Sequence, residues 1–175
     1  RSFLALAGPA AADCGPHLDL MDEVLDRASR ESIAASSGGQ GVAGAREARA
    51  MTETEAPGED EDREGRPFVG RAGQLLDQMF AAIGLSRAAG DAAAALYITN
   101  ILPWRPPGNR RPEPEEIAAM LPFVARHVAL AAPEFIVLMG NTPCQAALGR
   151  QGILRLRGHW TEAFGRPALP MTHPA

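Results

Sequence analysis

The run Phe135-Ile136-Val137-Leu138-Met139 constrains the fold more than any other stretch of the chain. It is apolar throughout, with no polar alternation, so it predicts a strand buried on both faces. Strands of that kind belong to parallel sheets covered by helices on either side. Gly140-Asn141-Thr142-Pro143 then opens a helix. Thr142 suits its N-cap and Pro143 its first turn. Free amides at that end suit a phosphate oxygen, although most such caps are purely structural.

The remaining elements fit the same plan. Residues 72–83 place Ala72, Leu75, Leu76, Met79, Phe80 and Ile83 on one apolar helical face, and Gly84 follows as the terminating residue. Residues 94–101 form a short apolar strand that delivers Asn100 at its carboxyl end, where open α/β sheets bind ligands. A proline-rich loop over 103–114 carries Arg105, Arg110 and Arg111. A helix over 115–131 buries Ile117, Met120, Leu121, Val124 and Val128, with Glu113, Glu115 and Glu116 favouring its N-terminus. A last strand over 168–171 delivers His173. Strands alternating with helices predict an α/β fold with a parallel sheet covered on both faces.

Residues 1–48 form a separate N-terminal part, a short amphipathic helix over 18–30 and a Ser/Gly linker over 36–41. The 175 residues fit one domain with a real core. No apolar run approaches the roughly 20 residues a membrane helix needs. The opening Ser2-Phe3-Leu4-Ala5-Leu6-Ala7 is too short for a secretory core. Cys14 and Cys144 are far apart, with no CxxC spacing, so neither a disulfide framework nor a zinc site is expected. A reducing bacterial cytoplasm is the default compartment.

Charge divides the chain. Residues 1–65 carry 6 Arg against 14 Asp plus Glu; residues 66–175 carry 11 Arg against 7. The second part is therefore positive inside a chain of net charge −4. All of that positive charge is arginine, whose planar fork suits phosphate oxygens. A GC-rich genome favouring Arg and Ala codons accounts for much of the same bias.

Residues 54–73 read as one long loop with two prolines, four glycines and a burst of carboxylates, feeding directly into a helix. Phe68 is its single large apolar residue, either a plug for the core or a platform for a flat ligand. Here the sequence becomes specific. Glu55-Ala56-Pro57-Gly58-Glu59-Asp60-Glu61-Asp62 followed by Gly65-Arg66-Pro67-Phe68-Val69-Gly70-Arg71-Ala72-Gly73 resembles the first motif of the family 4 uracil-DNA glycosylases. Tyr97-Ile98-Thr99-Asn100, Arg105-Pro106-Pro107-Gly108-Asn109-Arg110 and His173-Pro174-Ala175 resemble its later motifs, in the family's order.

The resemblance implies a three-layer α/β/α sandwich around a four-stranded parallel sheet, with residues 49–175 as the glycosylase-like domain. It implies a first strand over 50–55, which Met51-Thr52-Glu53-Thr54 supports poorly, being too polar for a buried central strand. The family continues past His-Pro-Ala, and this chain opens on Arg1, so a fragment truncated at its C-terminus is expected. The implied activity is excision of uracil from single- or double-stranded DNA by a monomeric enzyme with no membrane association.

Breaking that glycosidic bond needs a flat pocket for a flipped base, groups that read its edge, a placed water and a donor for the departing anion. By resemblance, Phe68 stacks on the base and Asn100 reads its edge with one donor and one acceptor. Glu55 crowds the C5 edge against a thymine methyl, with Ala56 beside it. Glu61 orients the attacking water and His173 faces uracil O2. Arg105, Asn109, Arg110, Thr142 and Arg157 are the candidates to touch DNA. The ordinary alternatives are a core Phe, a loop-capping Asn, a solvated acidic loop and a turn His. The acidic run lacks the spacing and Gly turn of a divalent-metal loop. His17, His127 and His159 sit in no motif.

Two departures stand out. Thr54 occupies a position where the family usually has Gly. Family 4 also holds an iron–sulfur cluster on four cysteines; Trp104 and Met120 stand where two of them fall, and the N-terminal pair is missing. No cluster and no other cofactor is expected. The competing reading is a noncatalytic DNA-binding module on the same fold, of the polymerase-associated type. The superfamily branch that crosslinks to DNA needs a further histidine in the basic loop, and residues 103–114 have none. A nucleotide-binding protein is disfavoured by the absence of any lysine and of a GxGxxG after a strand.

Overall fold

A computed structural model describes residues 48–174. The expected helix over 18–30, the linker over 36–41, Cys14, His17 and Ala175 lie outside the described residues. The apolar run forms β3 (Phe135–Met139), buried from its second residue onward. It pairs in parallel with β1 (Ala50–Thr54) on one side and β5 (Arg166–Met171) on the other. β2 (Leu96–Asn100) pairs in parallel with the far side of β1.

Those four strands are the expected parallel set. A fifth, β4 (Thr161–Ala163), adds antiparallel to β5 and gives the order β2-β1-β3-β5-β4. Phe164 (φ 52°) and Gly165 (φ 71°) make its tight turn, with the positive φ pair that matches strand twist in two-residue hairpins. Three residues, two of them polar, leave no apolar signal for such a strand.

The helices are α1 (Glu59–Glu64), α2 (Arg71–Ala81), α3 (Pro114–Ala131), α4 (Asn141–Leu148) and α5 (Ile153–Leu156). One face of the sheet packs Ala50, Val137 and Met139 against Phe68, Leu76 and Phe80. The other packs Met51, Ile136 and Leu138 against Val128 and Cys144. Alternate residues of β1 and β3 thus feed opposite cores, as the period of two requires, and a three-layer α/β/α sandwich results. No helix among the described residues is long and apolar enough to cross a membrane.

Several expectations are corrected. The first strand expected over 50–55 is present as β1; what fails is the objection from its polarity, for Thr52 and Glu53 are 0% exposed and Thr54 4%. Its place is fixed by ladders to β2 and β3 rather than by its own side chains. Thr52 Oγ1 donates to the Val137 carbonyl at 3.3 Å, whereas neither Glu53 carboxylate oxygen finds a partner among the described residues. The loop over 54–73 contains α1, whose first turn is Glu59, Asp60, Glu61 and Asp62. Carboxylates there favour the positive end of a helix.

The buried stripe of α2 is Gly73, Leu76 and Phe80, while Leu75 is 44% and Ile83 61% exposed. The rotation follows from Gly73: a Cβ there would lie 1.8 Å from the Phe68 carbonyl oxygen. The helix meets the preceding backbone along that line, and the stripe follows it. Met120 and Leu121 are only half-buried on α3. Gly140, at φ 101°, is the N-cap of α4 in place of Thr142. Only glycine adopts that φ readily, and it turns the chain straight from β3 into the helix. Asn141 caps the next helix instead, its Oδ1 accepting from the Gly152 and Ile153 amides at 3.0 and 2.9 Å.

Candidate active site

Four parallel strands end on one rim, and residues at or beyond the ends of β1, β2 and β5 converge. A cleft of about 450 Å³ opens there, lined by residues that include Thr54, Glu55, Glu61, Phe68, Asn100 and His173. The volume lies within the roughly 300–1,000 Å³ of small-molecule sites. Ala56, Pro57, Gly58 and Ala72 complete one wall, and Pro106, Asn109, Arg110 and Arg111 the other.

Phe68 plugs the core and borders the cleft as well. It is 6% exposed and packs in the core with Leu76 and Phe80, yet it also lines the cleft. Its φ of 53° is unusual for a bulky residue, and the close seat of its carbonyl on Gly73 holds it there. Glu61 secures the same turn from the other side. The Val69 and Gly70 amides donate to its Oε1 at 3.0 and 3.2 Å. The carboxylate on α1 therefore pins the segment that presents Phe68 while facing the cleft itself.

His173 stacks on Phe68, with ring centroids 5.3 Å apart and planes at 21°. Its Nε2 lies 3.1 Å from Thr54 Oγ1. Burial pushes the imidazole pKa below its ordinary value, against the upward pull of the Glu55 and Glu61 carboxylates. Burial thus favours the uncharged ring. Asn100 leaves the end of β2, and no hydrogen bond to its side-chain amide is seen among the described residues. Asn100 lines the cleft, and its amide carries both a donor and an acceptor.

The expected DNA contacts divide. Asn109 and Arg110 line the cleft. Arg105 stands behind them, its Nε donating to Asn109 Oδ1 at 2.6 Å and its guanidinium 3.6 Å from Glu59. Arg110 forms a bidentate pair with Glu116, both bonds 2.8 Å. Thr142 lies inside α4 and Arg157 caps the C-terminal end of α5; neither lines the cleft. Sequence reasoning did not single out Pro106 and Arg111 as site residues, although Pro106 stands within a quoted motif and Arg111 next to it. Thr54 drew attention only as a departure from a motif, with nothing to reveal its partner.

The other histidines stay apart from the cleft. His127 Nδ1 lies 2.6 Å from the Tyr97 hydroxyl, and His159 is exposed beside the Arg157 carbonyl. No cluster of three or more His, Cys, Asp or Glu suited to a metal ion occurs among the described residues. The arrangement offers an aromatic ring, a side-chain amide, an imidazole and carboxylates, all lining one small hollow. Such a set can hold a flat heterocycle, read its edge and stabilise negative charge developing on it.

Comparison with known proteins agrees with this geometry. Residues 42–175 match the model of the Uracil DNA glycosylase superfamily. The type-4 uracil-DNA glycosylase of Sulfurisphaera tokodaii is 43% identical over 110 residues, covering 59% of this chain and 47% of that protein. That of Thermotoga maritima is 37% identical over 124 residues, 69% of this chain and 62% of that protein. A DNA polymerase of Bacillus phage SP01 is 30% identical over 131 residues, 75% of this chain but 14% of the polymerase. The chain spans about half the length of the type-4 relatives it matches. With the matching model covering most of its length, the chain belongs to the uracil DNA glycosylase superfamily.

Proposed function

We propose that this chain is a uracil-DNA glycosylase of the type-4 kind, from a branch without the iron–sulfur cluster. The observation that carries the proposal is the sharing of one cleft by Phe68, Asn100, Glu61 and His173. In the sequence Asn100 and His173 stand far from each other and from the loop of Glu61 and Phe68, and scattered positions would have left the motif resemblance without a site.

The chemistry follows from the lining. Uracil leaves the DNA stack and enters the cleft over Phe68. Asn100 meets the N3–H and O4 edge with its acceptor and donor; cytosine presents the opposite pattern there and is refused. Glu55 crowds the C5 edge and excludes a methyl, with Ala56 beside it. As the C1′–N1 bond breaks, the bonding pair leaves with the base and its charge spreads onto O2. His173 meets that oxygen with a hydrogen bond that strengthens as the charge grows, which lowers the barrier rather than merely binding substrate. A water adds to C1′ of the cationic sugar and yields its proton to Glu61. Arg105, Asn109 and Arg110 hold phosphates beside the cleft, a positioning role without base readout. Thr142 and Arg157 serve phosphates farther along the strand.

The cluster-free assignment rests on donor chemistry. The sequence holds two cysteines, Cys14 and Cys144, against the four thiolates a cluster requires. Cys144 is buried and its thiol is pushed up to about 11 by desolvation, which suits a packed apolar residue rather than a ligand. Trp104 and Met120, both half-buried, replace two of the expected ligands with apolar bulk.

The polymerase relative gives the second reading specific support: a DNA-binding module without catalysis. Release of free uracil from a single-stranded, uracil-containing oligonucleotide separates the two. Release by the native chain, abolished in Glu61→Gln, supports the enzyme; tight binding with no release by either protein supports the module. Glutamine is preferred to alanine because its oxygen keeps the bonds to Val69 and Gly70.

A further inference from the structure

We infer that Thr54 is a positioning residue for His173, a role that rests on the glycosylase reading and adds a part the motif does not contain. Thr54 ends β1 and is 4% exposed. Its Oγ1 lies 3.1 Å from His173 Nε2, across 119 residues of chain. Phe68 holds the same ring face-on at 5.3 Å. The two constraints are complementary. A stacking contact fixes the plane of an imidazole but leaves it free to turn within that plane. A hydrogen bond to one nitrogen removes that freedom and decides which atom faces the cleft.

The side chain is suited to this task. A β-branched residue is stiff about χ1, and burial in a central strand removes its alternatives. The hydroxyl is both donor and acceptor, so it can satisfy Nε2 whether or not that nitrogen carries the proton. The imidazole is therefore held at the end of the cleft before any base arrives, and its bond passes to the base oxygen without a search. A glycine at position 54 would offer no such group.

The test compares Thr54→Val, which keeps the shape and removes the hydroxyl, with Thr54→Ser, which restores it. Thr54→Ala is a second hydroxyl-free variant should the valine chain fail to fold. Uracil release is followed under single-turnover and steady-state conditions, and the imidazole nitrogens are followed by 15N NMR. Loss of one positioning hydrogen bond predicts a fall in kcat of about tenfold in Thr54→Val with KM unchanged. The His173 Nε2 resonance and titration midpoint move in the same variant, and Thr54→Ser returns rate and resonance towards the native values. A purely packing role would leave the resonance in place and make serine no better than valine; either result overturns the inference. The NMR comparison reads the Thr54–His173 bond without substrate. Absence of uracil release by the native chain would sink the glycosylase reading and leave this arm to be judged separately.

Discussion

Replacing Glu53 by glutamine is expected to stabilise the fold at pH 8 and leave it nearly unchanged near pH 4.5. Glu53 sits on β1, an interior strand, 0% exposed, with no partner for either oxygen among the described residues. Burial raises its pKa from 4.5 to about 8. The unfolded chain releases this proton near 4.5, while the folded chain keeps it until about 8. Between those values the folded state binds more protons, so stability falls as pH rises and levels off above the upper one. At roughly 1.4 kcal/mol per pH step, that interval comes to ~5 kcal/mol. That is comparable to the whole stability of a marginal domain. Glutamine keeps the shape and does not titrate. Urea denaturation at half-unit steps from pH 4.5 to 8.5 therefore gives two curves that diverge with pH, glutamine above glutamate. Parallel curves would refute the reasoning, because they would mean that water or a cation reaches the Glu53 carboxylate in the folded chain.

Three further outcomes are expected. Gly73→Ala places a Cβ 1.8 Å from the Phe68 carbonyl oxygen, so α2 or the Phe68 turn must shift; a loss of about 1–3 kcal/mol is expected by chemical denaturation, with uracil release impaired beyond that of Ala72→Gly. The His173 ring should titrate below the ordinary histidine value because burial outweighs the pull of Glu55 and Glu61; by NMR, Glu55→Gln should move the midpoint lower still, and an upward move would contradict the geometry. Arg110→Gln should reduce the slope of log affinity against log salt for DNA by about 0.7 to 0.9, the share of one phosphate contact, whereas an unchanged slope would assign Arg110 to Glu116 alone.

Legibility in the sequence varied with the source of each element's burial. β3 could be read from Phe135–Met139 because every residue carries its own hydrophobic signal. β1 could not, since Thr52, Glu53 and Thr54 are buried by what flanks them rather than by what they are. α1 was hidden because Glu59, Asp60, Glu61 and Asp62 read as a solvated run, and helix-end electrostatics leave no apolar period. The stripe of α2 was misplaced because Gly73, the residue of closest approach, contributes nothing to a hydrophobic pattern. In the site, Phe68, Asn100, Glu61 and His173 could be named from motif order, and they share one cleft. The bond between Thr54 and His173 had no sequence signature, for no local rule joins positions so far apart.

The parallel sheet carries a consequence for how activity is gained and lost. Each wall of the cleft is delivered by a different strand end, from Thr54 at the first to His173 after the last. No partial assembly of the sheet completes the cleft, since His173 arrives only when β5 docks on β3. Such non-local pairings form slowly and together. Function should therefore switch on in a single cooperative step with folding, and variants that loosen any strand should dim catalysis in proportion to the folded fraction rather than yield enzymes of intermediate quality.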